Sequence, residues 1–132
     1  MPKKKKTSSK PSTESKYPKI TILTPIYNRN KWLPLMIANV YQFDYVKKDL
    51  TWLILDSKDG DEDIRLFNSP EEEDNVRKAI YPIKLIYEYI PRKMTIAERR
   101  NYLVKHSPTN WWANMDSDDL YMESYLHYSI DK

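Results

Sequence analysis

Asp116-Ser117-Asp118-Asp119 places three carboxylates within four residues, directly after the run Trp111-Trp112-Ala113-Asn114-Met115. Like charges this close repel and raise one another's pKa unless a cation lies between them. A ligand set made only of oxygen favours Mg²⁺ or Mn²⁺, and Mg²⁺ is commonly held by one or two carboxylates together with substrate phosphates. Asp116, Asp118 and Asp119 are therefore candidate ligands for a divalent ion that carries a phosphate ester. The plainer reading is an acidic turn, with Asp118 or Asp119 capping the helix that follows.

Other side chains could serve the same chemistry. Asp56 ends the apolar run Leu50-Thr51-Trp52-Leu53-Ile54-Leu55. It can accept a hydrogen bond from a ligand N–H, or it can cap a turn. Tyr27 can stack on a planar base, or it is simply one of 11 tyrosines that pack. Arg99 and Arg100 are neighbours on a predicted helix, so they point about 100° apart. One of them can face a phosphate while the other faces water, or both can be solvated helix charges.

Several rival chemistries fail on residue identity. Asp59-x-Asp61-x-Asp63 starts like a calcium loop, but Ile64 stands where the turn needs Gly and Pro70 where the loop needs Glu. His106 and His127 lie 21 residues apart in a chain without Cys, so neither a zinc finger nor a cysteine nucleophile can be built. Gly60 is the single glycine, which excludes the Gly-rich phosphate loops and the Gly-flanked serine elbow.

Those candidate residues need elements to hold them. The chain has 132 residues, 40% hydrophobic and 31% charged, enough apolar mass for one core. No run of about 18 apolar residues occurs, so no transmembrane helix is predicted. A basic start without an apolar segment after it is not a secretory signal, and a cytoplasmic location is the expectation. Residues 1–19 carry seven Lys against one Glu, and the remainder carries 15 Lys plus Arg against 18 acidic residues. The folded part is mildly acidic, which gives no ground for a nucleic-acid face.

Residues 1–18 read as a disordered basic tail, because they lack the apolar surface to offset ordering entropy. Lys3–Lys6 could serve as a nuclear address, but a solubilising role is the simpler reading. From residue 19 onward strands alternate with helices. Strands are predicted at 20–25, 50–55, 83–89 and 111–115. Asn30 can cap a helix over about 31–43, in which Leu33, Ile37, Val40 and Tyr41 recur at helical spacing. Ser69-Pro70 opens a short helix with Glu71–Glu73 in its first turn. Thr95-Ile96-Ala97-Glu98 is a capping box for a helix to about Lys105. A last helix is predicted over about Met122–Tyr128. This order predicts an α/β fold with a mainly parallel sheet and helices on both faces. Ligands of such sheets bind outside the carboxyl ends of the strands, where Tyr27, Asp56 and Asp116 fall.

Four segments together resemble family 2 glycosyltransferases. Ile20-Thr21-Ile22-Leu23-Thr24-Pro25-Ile26-Tyr27-Asn28-Arg29 resembles the family's first strand with T-P-x-Y-N-R. Leu53-Ile54-Leu55-Asp56-Ser57-Lys58-Asp59-Gly60 resembles its second strand with a D-D-G-S-like turn. Ile96 to Leu103 resembles the helix with an R-N pair, and Trp112 to Asp119 resembles the D-x-D strand end. The resemblance implies a Rossmann-like A-type fold that binds a nucleotide sugar, a UDP-sugar in the first instance, and transfers a hexosyl group. By it Thr24, Pro25 and Tyr27 line the nucleoside pocket and Asp56 takes the base edge. Arg100, with Arg99 as alternate, approaches the base or diphosphate. Asp116 sits near the ribose, and Asp118 with Asp119 holds Mn²⁺ or Mg²⁺.

Two departures qualify the match. Ser57-Lys58 interrupts the D-D-G-S turn. Only 13 residues follow Asp119, so the family's acceptor half and its catalytic base are expected to be missing, and the chain reads as a truncated donor half. The acceptor is not readable, and the cut edge is expected to favour association. Glu123 and Asp131 are the remaining carboxylates after the D-x-D. The rival from another class is a non-catalytic remnant or interaction module that keeps the fold, and a further rival is a nucleotidyl- or phosphoryl-handling α/β protein.

Overall fold

The computed structural model describes residues 3–4, 18–27, 30–58 and 64–116. In chain order it comprises β1 (Lys3–Lys4), β2 (Ile20–Ile26), a 3₁₀ turn (Asn30–Trp32), α1 (Leu33–Gln42), a second 3₁₀ turn (Lys47–Asp49), β3 (Leu50–Ser57), α2 (Pro70–Ile80), β4 (Lys84–Ile90), α3 (Ile96–His106) and β5 (Trp111–Asn114). The strands form one sheet in the order β1-β5-β2-β3-β4. β5, β2, β3 and β4 run parallel, and β1 is antiparallel to β5.

The apolar runs have no polar face because both of their faces are covered. Every residue of β3 is buried, as is every residue of β2 except the half-buried Pro25. Side chains divide by parity. Ile20, Ile22, Ile26, Trp52 and Ile54 pack with Met36 and Val40 of α1 and Val76 and Ile80 of α2. Leu23, Leu53 and Leu55 point to the opposite face, against Leu103 of α3 and Met94 before it. Burying side chains of this size contributes about 1.5–3 kcal/mol each.

The two-sided cover follows from crossover handedness. From β2 the chain steps through β3 to β4 in one direction, then returns past β2 to place β5 on its other side. Right-handed crossovers in opposite directions set their helices on opposite faces. Hence α1 and α2 share one face while α3 takes the other. The reversal between β2 and β5 opens a crevice at their carboxyl ends.

Pro25 sits in a central strand without costing a ladder bond. The Leu23 carbonyl accepts from the Met115 N–H at 2.8 Å, so odd residues of β2 turn their peptide groups toward β5. Pro25 shares that parity, but pairing with β5 stops at Leu23–Asn114. Its missing N–H has no partner to lose.

Helix ends largely follow the predicted chemistry. The Ser69 hydroxyl accepts from the Glu72 N–H at 3.2 Å, Pro70 opens α2, and Val76 and Ile80 form its buried stripe. The Thr95 box is complete: Thr95 Oγ1 accepts from the Glu98 N–H at 3.1 Å, and Glu98 Oε1 accepts from the Thr95 N–H at 3.0 Å. The expected Asn30 cap does not form. Residues 30–32 make a 3₁₀ turn, α1 starts at Leu33 behind Trp32, and no side chain caps it. Pro34 lies in that first turn and removes one of the N–H groups a cap would serve.

Strand limits also shift. β2 runs on through Ile26 and β3 through Ser57, because Ile26 pairs with Asp56 and Asp56 with Tyr89. Within the tail expected to be disordered, Lys3 and Lys4 pair with Trp112 and Trp111. Such pairing uses main-chain groups of an edge strand and needs no apolar side chain. The rest of 1–17, and the predicted helix at Met122–Tyr128, lie outside the described residues. Among the described residues no helix is long and apolar enough to cross a membrane.

Candidate functional site

The carboxyl ends of the parallel strands finish close to one level. Ile26, Asp56 and Tyr89 stand side by side in register, and Asp116 lies two residues beyond β5. α3 begins at this same edge, after a connection in which the Lys58 N–H donates to the Arg92 carbonyl at 3.3 Å. That bond ties the end of β3 to the loop that enters α3.

Between these segments opens a pocket of about 250 Å³. Tyr27 from the end of β2, Lys58 from the end of β3, Lys93, Met94 and Thr95 from the loop, and Ile96 and Arg99 from α3 line it. Three of these seven are cationic, a charge that attracts an anionic group. An aromatic ring beside several cations suits a ligand with a flat base and an anionic end.

The structure assigns the two arginines different tasks. Arg99 is buried. Its Nη1 donates to the Met94 carbonyl at 2.8 Å and reaches Ser57 Oγ at 3.4 Å, and its guanidinium lies 4.8 Å from the centre of the Tyr27 ring. Ser57 Oγ in turn donates to the Ile26 carbonyl at 3.5 Å. Arg99 thus braces the ends of β2 and β3 and the loop before α3. Arg100 turns away and meets Asp116, Nη2 to Oδ1 at 3.3 Å, with both side chains about two-fifths exposed. Arg99 shares its helix face with Leu103, four residues on and also buried, whereas Arg100 shares its face with the exposed Val104.

Asp56 differs from its expected position as a ligand contact. It is 1% exposed, and its Oδ2 accepts from the Leu66 N–H at 2.8 Å and the Tyr87 hydroxyl at 2.6 Å. Burial pushes its carboxyl above the ordinary range, opposed by the bonds from Tyr87 and from backbone N–H groups. Burial, then the bond to Asp56, pushes the Tyr87 phenol up. Asp56 Oδ1 has no hydrogen-bond partner among the described residues, so one buried acceptor at this edge is unused. Asp56 shares the parity of Ile54, on the α1 and α2 face, and is not among the residues that line the pocket.

Thr24 stands apart from the pocket lining. Its side chain is fully buried and its Oγ1 accepts from Trp52 Nε1 at 2.9 Å, so it satisfies a core indole instead of lining a pocket. Even residues of β2 face α1 and α2, whereas the pocket opens on the α3 side. Pro25 is half-buried and is not among the residues that line the pocket. Asp118 and Asp119 lie outside the described residues. Asp116 offers a half-exposed oxygen donor of the kind a hard cation takes, and among the described residues no three acidic or histidine side chains group as a metal site.

Sequence reasoning missed Lys58 and Lys93 as pocket residues, and Tyr87 and Leu66 as the partners of Asp56. Lys58 could have been found as the first residue beyond a buried strand end. The Asp56 partners come from 10 and 31 residues away, a distance that local pattern does not reach.

No protein-family model matches the sequence, and no curated protein matches it. Solved structures do match its fold. The mannosyltransferase PcManGT from Pyrobaculum calidifontis, in complex with GDP-Man and Mn²⁺, superposes with a TM-score of 0.70 at 20% identity over 87% of this chain and 32% of that one. TarS 1–349 of S. aureus in complex with UDP gives 0.64 at 16% identity, over 86% of this chain and 31% of that one. TarS 1–349 in complex with UDP-GlcNAc gives 0.63 at 19%, over 86% and 30%. The chain spans about a third of the length of these structures. The predicted Rossmann-like α/β fold of A-type glycosyltransferases is thereby borne out.

Proposed function

We propose that this chain is the nucleotide-sugar-binding unit of a metal-dependent glycosyltransferase of the family 2 type, taking a UDP-sugar and serving hexosyl transfer. The observation that carries the reading is the pocket at the carboxyl edge, where the Tyr27 ring stands among Lys58, Lys93 and Arg99. The fold supports it, since the matching structures hold GDP-Man with Mn²⁺, UDP, or UDP-GlcNAc.

In this reading Tyr27 stacks on the base and the pocket cations attract the diphosphate. Asp116, Asp118 and Asp119 hold Mn²⁺ or Mg²⁺. A divalent ion held by these carboxylates would supply positive charge against a departing nucleoside diphosphate. Arg100, paired with Asp116, steadies the first of these carboxylates. The domain spans 19–132 with β1 of the tail added at its sheet edge, and residues 1–18 lie outside the donor site.

Calorimetric titration with UDP, GDP and UDP-sugars, in Mn²⁺ and then in EDTA, tests the reading. Binding that needs the metal and prefers a uridine diphosphate is expected. A demonstrably folded sample that binds no nucleotide in either condition overturns it.

A further inference from the structure

Arg99, the alternate to Arg100 for approaching the base or diphosphate, is fixed from three sides. It is 6% exposed, holds the Met94 carbonyl and Ser57 Oγ, and lies over the Tyr27 ring. A guanidinium whose Nη1 is held by a carbonyl and a hydroxyl, and whose Cζ stands 4.8 Å from the centre of an aromatic ring, is placed for a cation–π contact with that ring. By contrast, Lys58 and Lys93 line the same pocket at the end of β3 and in the loop before α3, and no carboxylate pairs with either among the described residues. An ammonium on a flexible stem suits a phosphate as a point charge.

We infer that the pocket divides its labour: Arg99 is a positioning residue that aims the Tyr27 ring at the base, while Lys58 and Lys93 take the anionic end of a nucleoside phosphate. This assignment rests on the nucleotide-binding reading and goes beyond it, because among the three pocket cations it gives phosphate recognition to the two lysines and withholds it from Arg99. It also separates the two contributions by their physics. A stacking contribution does not depend on phosphate count. An ammonium contribution rises with each phosphate and is screened by salt.

The test is a ligand ladder of uridine, UMP and UDP, titrated by NMR and calorimetry at low and high salt. The wild-type chain is compared with R99K, R99M, K58Q and K93Q, each checked for folding by circular dichroism. R99K is the milder variant, retaining charge but not the planar fork, and it keeps the test alive if R99M fails to fold. Both Arg99 variants are expected to lose about 3- to 10-fold for all three ligands alike, the scale of an aromatic contact. K58Q and K93Q are expected to leave uridine unchanged and to lose progressively more for UMP and UDP, with the loss shrinking in salt.

A second readout needs no ligand. The ring resonances of Tyr27, identified by their loss in Y27F, are expected to move in ligand-free R99K. Unmoved resonances overturn the positioning role. An R99K loss confined to UMP and UDP makes Arg99 a phosphate contact and overturns the division. Equal losses for uridine and UDP in the lysine variants do so too. A wild-type chain that binds uridine but gains nothing from phosphates overturns the lysine assignment while leaving base binding standing, whereas one that binds none of the three overturns the functional reading itself.

Discussion

Tyr87 donates its hydroxyl to Asp56 Oδ2 across 2.6 Å, joining two neighbouring strands at the edge where the pocket opens. The pair fixes the sign of a pH effect. Burial raises the Asp56 pKa above its ordinary value of 3.8. A carboxyl whose folded pKa is raised contributes stability that is present below its unfolded pKa and lost as pH rises through the folded one. The difference in unfolding free energy between wild type and D56N is therefore expected to fall as pH rises from about 4, and to level off once Asp56 is ionised. Urea unfolding across that range measures it, and a flat difference contradicts the buried carboxyl.

Y87F isolates the other half of the pair. It removes one of the two donors to Oδ2 and leaves the Leu66 N–H. The expected cost is about 1–3 kcal/mol at neutral pH, the range for a hydrogen bond to a charged group. Because Tyr87 helps to hold Asp56 ionised, the cost is expected to shrink in acid. Equal costs at both ends of the range would mean that packing of the Tyr87 ring against Phe67, 4.9 Å between centroids, carries the effect.

Thr24 and Trp52 make a test of the core. T24V keeps the shape and leaves the Trp52 indole N–H buried without its acceptor. A loss of about 1–3 kcal/mol is expected, read by chemical denaturation. Nucleotide affinity of the folded variant should be unchanged. A selective loss of affinity with full stability would return Thr24 to the pocket lining.

The capping box links α3 to the pocket, since Thr95 and Ile96 line it. T95A is expected to cost about 1 kcal/mol and T95S almost nothing. The bond from the Thr95 backbone, followed by the contact with Arg92, holds the Glu98 carboxyl below its ordinary range. A depressed carboxylate stabilises above its unfolded pKa and loses that effect as pH falls through the folded one. E98Q should therefore flatten the acid limb of the stability curve and leave the neutral region nearly unchanged.

What was legible in the sequence was whatever local chemistry decides. The Thr95 box and the Ser69-Pro70 start were readable because a helix N-terminus is satisfied within four residues. The strand Leu50–Leu55 was readable because a run apolar at every position needs cover on both faces. What local pattern does not carry is facing. Thr24 reads as a pocket residue until Trp52, 28 residues away, claims its hydroxyl. Asp56 reads as a free acceptor until Leu66 and Tyr87 close over it. For Arg99 and Arg100 spacing does not decide, because Arg99 has Leu103 four residues on and Arg100 has Val104; only the fold buries Leu103 and leaves Val104 exposed. The Asn30 cap failed because the chain enters α1 through a 3₁₀ turn with Pro34 behind it.

The last prediction concerns the acidic run. Asp116 meets Arg100 at 3.3 Å with both side chains substantially exposed, and such pairs contribute about 0–1 kcal/mol. R100A should accordingly leave stability almost unaltered, so any loss of nucleotide binding reports on the site and not on the fold. D118N keeps side-chain shape and removes one charge. If Asp118 holds the ion, metal-dependent UDP affinity should fall by about 1–3 kcal/mol, the scale of a lost charge-assisted contact. Metal-free stability should stay level or rise, because one source of carboxylate repulsion is gone. Titrating Mn²⁺ by electron paramagnetic resonance, with UDP present and absent, separates ion binding from nucleotide binding. Unchanged Mn²⁺ affinity in D118N, or a large loss of thermal stability without metal, would assign Asp118 to a turn or helix cap and leave the ion to other residues.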